Sequence, residues 1–120
     1  MASSTIHSTY TEIENNNTIT RASRIASNNG NLTQKNCYKI GQIVHVGVIF
    51  SGLSGISGNG DFVVIPPRYV PRKNTMCMGT VTLNNVEYPT FFIIHTDGTV
   101  ELTFTSSDVS RITFATTYSI

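Results

Sequence analysis

The sequence predicts an all-β fold: an antiparallel, jelly-roll-like β-sandwich with about eight or nine short strands. Apolar and polar residues alternate with a period of two in several segments, as they do in strands that bury one face. Turn signals of Gly, Pro and Asn separate these segments at the intervals typical of sandwiches and barrels. No segment of useful length has the helical period, which disfavours a helical or mixed fold.

The least ambiguous local signal is the β-hairpin predicted for Phe91–Phe104. Its two arms are rich in β-branched and aromatic residues and meet at Asp97-Gly98, a pair suited to the positive φ angles of a type I′ turn. Every other residue of the second arm, from Val100 to Phe104, is apolar, so one face can be buried. Because two strands alone are marginally stable in water, the hairpin needs a second layer from the rest of the chain.

The first thirty residues are predicted to differ from the remainder. Residues 1–17 are polar and end in a run of three asparagines, and they contain too few apolar residues to bury much surface, so they are expected to form an arm. The segment 18–27 alternates weakly, and the turn-forming residues after it predict a hairpin with Leu32–Cys37. The sequence therefore divides into a polar N-terminal arm or first hairpin (1–30), able to contact neighbouring subunits, and a β-sandwich domain (31–120).

A long core strand is predicted from Tyr38 to Phe50, interrupted by Gly41 and Gly47. The apolar residues assigned to its buried face are Tyr38, Ile40, Val44, Val46, Val48 and Phe50. A Gly/Ser loop follows, in which Leu53 and Ile56 are the apolar anchors.

The remaining predicted strands alternate with clear reversals. Three prolines between Pro66 and Pro71 exclude an α-helix and central-strand pairing, so the chain is expected to cross the end of a sheet there. Asn84-Asn85 predicts a two-residue reversal, and Pro89 predicts an edge or a bulge. The strands predicted around these signals are Asp61–Ile65, Thr75–Leu83, Val86–His95 and Ile112–Ile120.

Composition limits the function classes. Only 12% of the 120 residues are charged and the net charge is +1, so neither nucleic acid nor an anionic membrane surface is an expected partner. The longest apolar run is too short for a membrane helix and the amino terminus lacks a secretion signal, which predicts a soluble chain without membrane insertion. The lack of an export signal also favours free thiols at Cys37 and Cys77.

Catalytic, cofactor and metal motifs are weak, and we expect neither an enzyme nor a cofactor. The Gly-rich segment Ser51–Gly60 lacks the Gly-Lys-Ser/Thr of a phosphate-binding loop, and no helix follows its Ser54 as a nucleophile elbow requires. His7, His45 and His95 are widely spaced, so a metal site would require the fold to bring them together. An active site shared between subunits stays open.

The candidate ligand-binding residues are Arg68, Tyr69, Arg72, Lys73, His95 and Asp97. The first four form the basic and aromatic cluster of the chain. Tyr69 can stack on a sugar while an arginine donates hydrogen bonds to hydroxyls or carboxylates. Alternatively, Tyr69 caps the sandwich by packing between prolines, and the basic residues are simply solvated.

Four segments together resemble the carboxy-terminal head or knob domains of bacteriophage tail fibres and baseplate receptor-binding proteins. These are the strand Tyr38–Val46, the proline-rich crossing Val64–Pro71, the Ile-x-x-Asp-Gly-x-Val-like hairpin Ile93–Val100, and the closing strand Ile112–Tyr118. The resemblance covers the chain from Tyr38 to Ile120.

This resemblance implies a head domain that forms a homotrimer and binds a bacterial surface saccharide or protein through its loops. It also implies a place at the virion tail tip or fibre, contacts with other virion tail proteins, and synthesis in the host bacterial cytoplasm. Two alternatives stay open: a structural virion or assembly protein without receptor binding, and a monomeric carbohydrate-binding module. Complete fibre proteins usually carry a long shaft before the head, so we expect either a fragment or a small separate protein.

Overall fold

The computed structural model describes residues 11–13, 19–104, 106 and 108–120. These residues form nine β-strands, all antiparallel to their neighbours, and one 3₁₀ turn. The strands are β1 (Thr11–Ile13), β2 (Thr20–Arg21), β3 (Asn31–Ile40), β4 (Ile43–Ser51), β5 (Asn59–Val64), β6 (Thr75–Leu83), β7 (Val86–Ile94), β8 (Thr99–Thr103) and β9 (Arg111–Ser119), with the 3₁₀ turn at Pro67–Tyr69. The predicted all-β antiparallel fold is confirmed.

All nine strands belong to one sheet, in the order β1-β3-β4-β9-β6-β7-β8-β5-β2, and this sheet curls back on itself. Phe62 in β5 and Phe114 in β9 lie four strand positions apart, which would separate them by about 19 Å in a flat sheet. Their ring centroids are only 6.0 Å apart. The predicted sandwich is therefore built from one continuous sheet, whose two halves face each other across the core.

Arg21 brings the β2 edge of the sheet back towards β4. Its guanidinium carbon lies 5.2 Å from the ring centroid of Phe50. The same guanidinium donates hydrogen bonds to the main-chain oxygens of Ala26 and Asn29, each at 2.7 Å, and of Gly30 at 3.2 Å. Because this residue bridges β2 and the start of the β3–β4 hairpin, the sheet forms a nearly closed barrel.

Three phenylalanines fill the centre of the core. Phe92 packs on Phe62 with ring centroids 5.5 Å apart and on Phe114 at 5.0 Å. Gly79 in β6 leaves room for them, because a Cβ at that position would lie 2.4 Å from Phe92 Cε1. Around this cluster lie further fully buried side chains: Val44, Phe50, Val63, Tyr69, Val81, Ile94, Val100, Leu102, Val109 and Ile112.

The Phe91–Phe104 hairpin is confirmed as β7 and β8, but the predicted turn type is wrong. The connection spans His95 to Gly98, closed by a hydrogen bond from Gly98 N to His95 O at 2.9 Å, and of these four residues Gly98 alone has a positive φ, at 96°. The Asp97 carboxylate accepts a hydrogen bond from Thr99 N at 3.0 Å, which stabilises a wider turn. The two-residue reversal at Asn84-Asn85 is confirmed, with φ angles of 53° and 63°.

The long core strand predicted from Tyr38 to Phe50 is wrong. The chain reverses at Gly41-Gln42, where Gly41 has a φ of 61°, and β3 pairs with β4 so that Ile40 faces Ile43. In a hairpin closed by a two-residue turn, paired residues share a face of the sheet, and each even-numbered residue of one strand is paired with an odd-numbered residue of the other. The even-numbered residues of β3 near the turn therefore lie on the opposite face from the even-numbered residues of β4. Tyr38 and Ile40 consequently point away from the core, and Ile40 is 45% exposed. The assigned residues of β4 are buried as predicted: Val44, Val46, Val48 and Phe50.

The predicted hairpin between 18–27 and Leu32–Cys37 is also wrong. β2 pairs instead with β5, with Thr20 opposite Val64, while β3 pairs with β4 and with β1. Local alternation indicates a strand but does not specify a distant partner. The predictions for residues 1–17, which include His7, lie outside the described residues except for β1. The division of the chain at residue 30 stays a prediction.

The remaining predictions largely hold. Leu53 and Ile56 anchor the Gly/Ser loop and are 4% and 7% exposed. The proline-rich segment contains a single 3₁₀ turn, and Pro89 lies where β7 pairs with β6 alone. Neither Cys37 nor Cys77 forms a disulfide, as the sequence favours.

Candidate functional site

The crossing between β5 and β6 positions the basic residues by burying Tyr69. Pro67 begins the 3₁₀ turn, which is closed by a hydrogen bond from Tyr69 N to Pro66 O at 3.0 Å. The Tyr69 side chain is 0% exposed, and its main-chain oxygen accepts a hydrogen bond from the buried Tyr118 hydroxyl. The stacking of Tyr69 on a sugar is therefore excluded in this structure, because its ring has no surface to offer. Tyr69 instead packs in the core and holds the crossing in place.

The β7–β8 turn lies against this crossing. Ile65 N donates a hydrogen bond to Gly98 O at 2.8 Å, and Thr96 N donates one to Asn74 Oδ1 at 3.2 Å. A Cβ on Gly98 would meet Ile65 O at 2.4 Å, so only glycine allows this close approach. The two segments, residues 66–74 and 95–98, form one end of the molecule, which we call the turn end.

Five of the six candidate residues are brought together at the turn end with accessible side chains. Arg68, Arg72 and Lys73 lie on the crossing and are exposed. The Arg68 guanidinium carbon is 5.8 Å from the Tyr69 ring centroid, a cation–π contact that helps to position the guanidinium. His95 and Asp97 lie on the adjoining turn, where His95 is half-buried and Asp97 is exposed.

Asp97 and His95 are each held by neighbouring side chains. Asp97 Oδ1 accepts hydrogen bonds from the Thr99 main-chain nitrogen at 3.0 Å and from Thr99 Oγ1 at 2.7 Å. Both bonds lower the pKa of Asp97, the bond from the main-chain nitrogen more than the bond from the hydroxyl, and the carboxylate therefore stays ionised. His95 Nε2 lies 2.8 Å from Glu101 Oε1. Glu101 is not among the residues predicted from the sequence, because only the β7–β8 register, with Glu101 opposite Ile93, brings it beside His95.

The turn end therefore combines three cationic side chains with the Asp97 carboxylate and the His95 imidazole, and Glu101 of β8 adds a second carboxylate beside His95. These side chains can donate hydrogen bonds to hydroxyl groups and accept hydrogen bonds from them, and the two arginines can bind carboxylates or phosphates. Within the described ranges, no three His, Cys, Asp or Glu side chains gather so that they could hold a metal ion. The side chains of the turn end are therefore chemically suited to hydrogen bonding with polar groups.

An exposed apolar surface adjoins the turn end on the outer side of β6 and β7. Met76, Met78 and Phe91 are 63%, 52% and 52% exposed. The register places Met78 opposite Phe91 and Met76 opposite the half-buried Ile93, so these four side chains form a continuous patch, called here the β6–β7 face. Since Glu101 is in turn opposite Ile93, the patch reaches the His95–Glu101 pair. Contiguous exposed apolar side chains of this kind mark contact surfaces.

The part of the chain that the structure describes contains no helix long and apolar enough to cross a membrane.

Two solved structures share this architecture. No protein-family model matches the sequence, and no curated protein matches it. The head domain of the lactococcal phage bIL170, described as a receptor-binding domain, superimposes with a TM-score of 0.58 at 15% identity, over 85% of this chain and 94% of that chain. The receptor-binding protein gp15 of Listeria phage PSA superimposes with a TM-score of 0.64 at 14% identity, over 99% of this chain and 72% of that chain. The chain thus has the fold of phage receptor-binding head domains, as its sequence motifs imply.

Proposed function

We propose that this chain is a phage or prophage tail-associated head domain that binds a bacterial surface glycan or protein as a homotrimer. The observation that carries the proposal is the shared fold, which extends over most of this chain and most of each phage receptor-binding structure. In this proposal the chain acts by contact and not by catalysis. Its location is the virion tail tip or fibre, where other tail proteins are its neighbours.

The turn end supports recognition of a polar surface ligand. Arg68, Arg72 and Lys73 project from a crossing that the buried Tyr69 ring fixes in place. Because the crossing is anchored in the core, less conformational freedom is lost on binding than a mobile loop would lose. The bound group would be a saccharide or a protein side chain that presents hydroxyls or carboxylates to Arg68, Arg72, Lys73, His95 and Asp97.

The β6–β7 face supports self-association. Three large apolar side chains more than half exposed on adjacent strands are costly to leave in water, and a subunit interface would bury them. A cyclic trimer would bring one copy's β6–β7 face against a neighbouring copy. The number of subunits rests on the resemblance to tail-fibre head domains.

The experiment is binding of fluorescently labelled protein to intact bacteria, with lactococcal and Listeria strains in the panel. The proposal predicts saturable binding to at least one strain. Periodate treatment of those cells abolishes binding if the receptor is a glycan, and protease treatment abolishes it if the receptor is a protein. A trimer that binds no bacterial surface would favour the structural assembly protein. A monomer that binds soluble glycans would favour the carbohydrate-binding module.

A further inference from the structure

The outer face of β3, β4 and β9 carries a depression that the turn end does not include. It is open, has a volume of about 540 Å³, and lies around Gly47 in β4 and its partner Ala115 in β9. Neither residue has a side chain beyond Cβ, so the sheet surface is low at this point. A volume of this size falls within the range of about 300–1,000 Å³ typical of small-ligand sites.

An aromatic pair forms one wall of the depression. The rings of Tyr38 and His45 stack with centroids 4.7 Å apart and an interplanar angle of 8°. His45 in β4 lies between Tyr38 of β3 and Thr117 of β9, which are its register partners on the two neighbouring strands. Because Tyr38 covers one face of the imidazole, the other face is turned towards β9. A flat, preorganised ring at the side of a depression offers a stacking surface at a low entropic cost.

The other lining groups are neutral hydrogen-bonding side chains. Asn36 contributes an amide, which both donates and accepts hydrogen bonds, and Thr117 contributes a hydroxyl. Thr116 lies opposite the buried Val46, so it lines the depression with its backbone while its side chain points to the inner face of the sheet. The described residues that line the depression include no Asp, Glu, Lys or Arg. An anionic ligand would therefore find no countercharge there, whereas a ligand rich in hydroxyl groups would find both donors and acceptors.

From this combination we infer that the depression is a binding subsite for a neutral saccharide, with one sugar ring stacked against His45 and its hydroxyls bonded to Asn36 and Thr117. The subsite lies on a sheet face and shares no residue with the turn end. It extends the proposed function by a second contact point, and it stands whether or not the turn end binds a receptor.

The test follows the amide NMR signals of the protein during titration with neutral sugars at millimolar concentration: glucose, galactose, rhamnose and N-acetylglucosamine. The subsite predicts saturable shifts at Asn36, His45, Thr116 and Thr117 with at least one of these sugars. Inorganic phosphate at the same concentration is expected to leave these signals unchanged. A failure of the turn end to bind bacteria would not alter either result.

Two variants and a control sharpen the test. Ala115→Gln places a longer side chain in the depression without touching the aromatic pair, and it is expected to abolish the saturable shifts. His45→Ala is expected to weaken binding about tenfold, because it removes the stacking ring. Ser119→Gln adds the same side chain at an exposed position of β9 outside the depression and is expected to bind like the wild type.

Three results would overturn the inference. The first is the absence of saturable shifts with all four sugars. The second is a set of shifts confined to residues 66–74 and 95–98, or produced by phosphate instead of sugar. The third is unchanged sugar binding by Ala115→Gln, or a change in its sedimentation coefficient that identifies this face as a contact between copies of the chain.

Discussion

The hydroxyl of Tyr118 donates a hydrogen bond to the main-chain oxygen of Tyr69, which ties the last strand to the proline-rich crossing. Both side chains are buried, Tyr69 completely and Tyr118 to 9% exposure. The crossing carries Arg68, Arg72 and Lys73, so the position of these cations at the turn end depends on a contact made deep in the core. We therefore expect core substitutions to lower stability and to displace these cations together, and substitutions of the exposed Arg72 or Lys73 to change the surface chemistry with little effect on stability.

Replacing Tyr69 with Ala is expected to destabilise the protein by about 3–5 kcal/mol, as aromatic-to-alanine substitutions in cores do. The cause is the loss of a fully buried ring together with the cavity that it leaves. Urea denaturation monitored by circular dichroism measures the effect. Tyr88→Ala, at a tyrosine that is 39% exposed, is the matched control and should lower the free energy of unfolding by a smaller amount. A Tyr69→Ala protein of wild-type stability would contradict the packing role.

Alkaline pH is expected to destabilise the fold through Tyr118. Burial raises the pKa of this phenol well above its usual value, so between the unfolded and folded pKa values the unfolded chain releases a proton that the folded chain retains. The contribution of Tyr118 is therefore fully present below about pH 10, the usual pKa of a phenol, and is lost as the pH rises further. Burial also raises the pKa of Cys77 to about 11, which adds to the loss.

Urea midpoints measured from pH 8 upwards test this expectation. Tyr118→Phe removes one titrating group, so its stability should fall less steeply with pH than that of the wild type. Tyr88→Phe serves as the surface control and should retain the wild-type slope. Parallel curves for Tyr118→Phe and the wild type would show that Tyr118 does not contribute.

Asp97→Ala is expected to lower the melting temperature, because the β7–β8 turn loses the acceptor for two hydrogen bonds from Thr99. Those bonds lower the pKa of Asp97, so its contribution is present above the unfolded pKa of about 4 and is lost as the pH falls through the folded value. The difference in melting temperature between wild type and variant should therefore shrink below pH 4. A difference that stays constant with pH would rule out the ionised carboxylate as its cause.

Met78→Asp or Phe91→Asp is expected to dissociate the assembly, because each places a charge in the β6–β7 face proposed to be buried between subunits. The variants should fold normally, since both side chains are about half exposed. Sedimentation velocity at micromolar concentration is the measurement. Ile43→Asp, at an exposed apolar residue outside this face, is the control. A wild-type protein that sediments as a monomer would overturn the proposal of a trimer.

Local turn chemistry explains which parts of the fold the sequence could predict. Asn84-Asn85 and the Phe91–Phe104 hairpin depend on adjacent residues, and both appear in the structure. The Tyr38–Phe50 strand was mispredicted because the apolar alternation runs in the same phase through the Gly41 turn, so nothing in the pattern marks the reversal. The pairing of β2 with β5 was missed because a two-residue strand carries too little pattern to identify a distant partner.

The candidate site shows the same limit. Sequence chemistry identified Arg68, Arg72 and Lys73, but neither the burial of Tyr69 nor the contact between Asn74 and Thr96 follows from residue types. Both depend on how distant segments meet at one end of the sheet. The depression beside His45 is harder still to predict from the sequence, because it combines the β3–β4 hairpin with β9, a strand far away in the chain.

The most direct measurement of the central claim is the affinity of an Arg72→Ala/Lys73→Ala double variant for a bacterial strain that binds the wild-type protein. Arg111→Ala is the matched control, since Arg111 is an exposed cation paired with Thr82 at the opposite end of β6 from the crossing. The account predicts a loss of about tenfold or more for the double variant, as expected when charged hydrogen-bond donors are removed, and wild-type affinity for the control. Equal affinity of all three proteins would contradict recognition through the turn end.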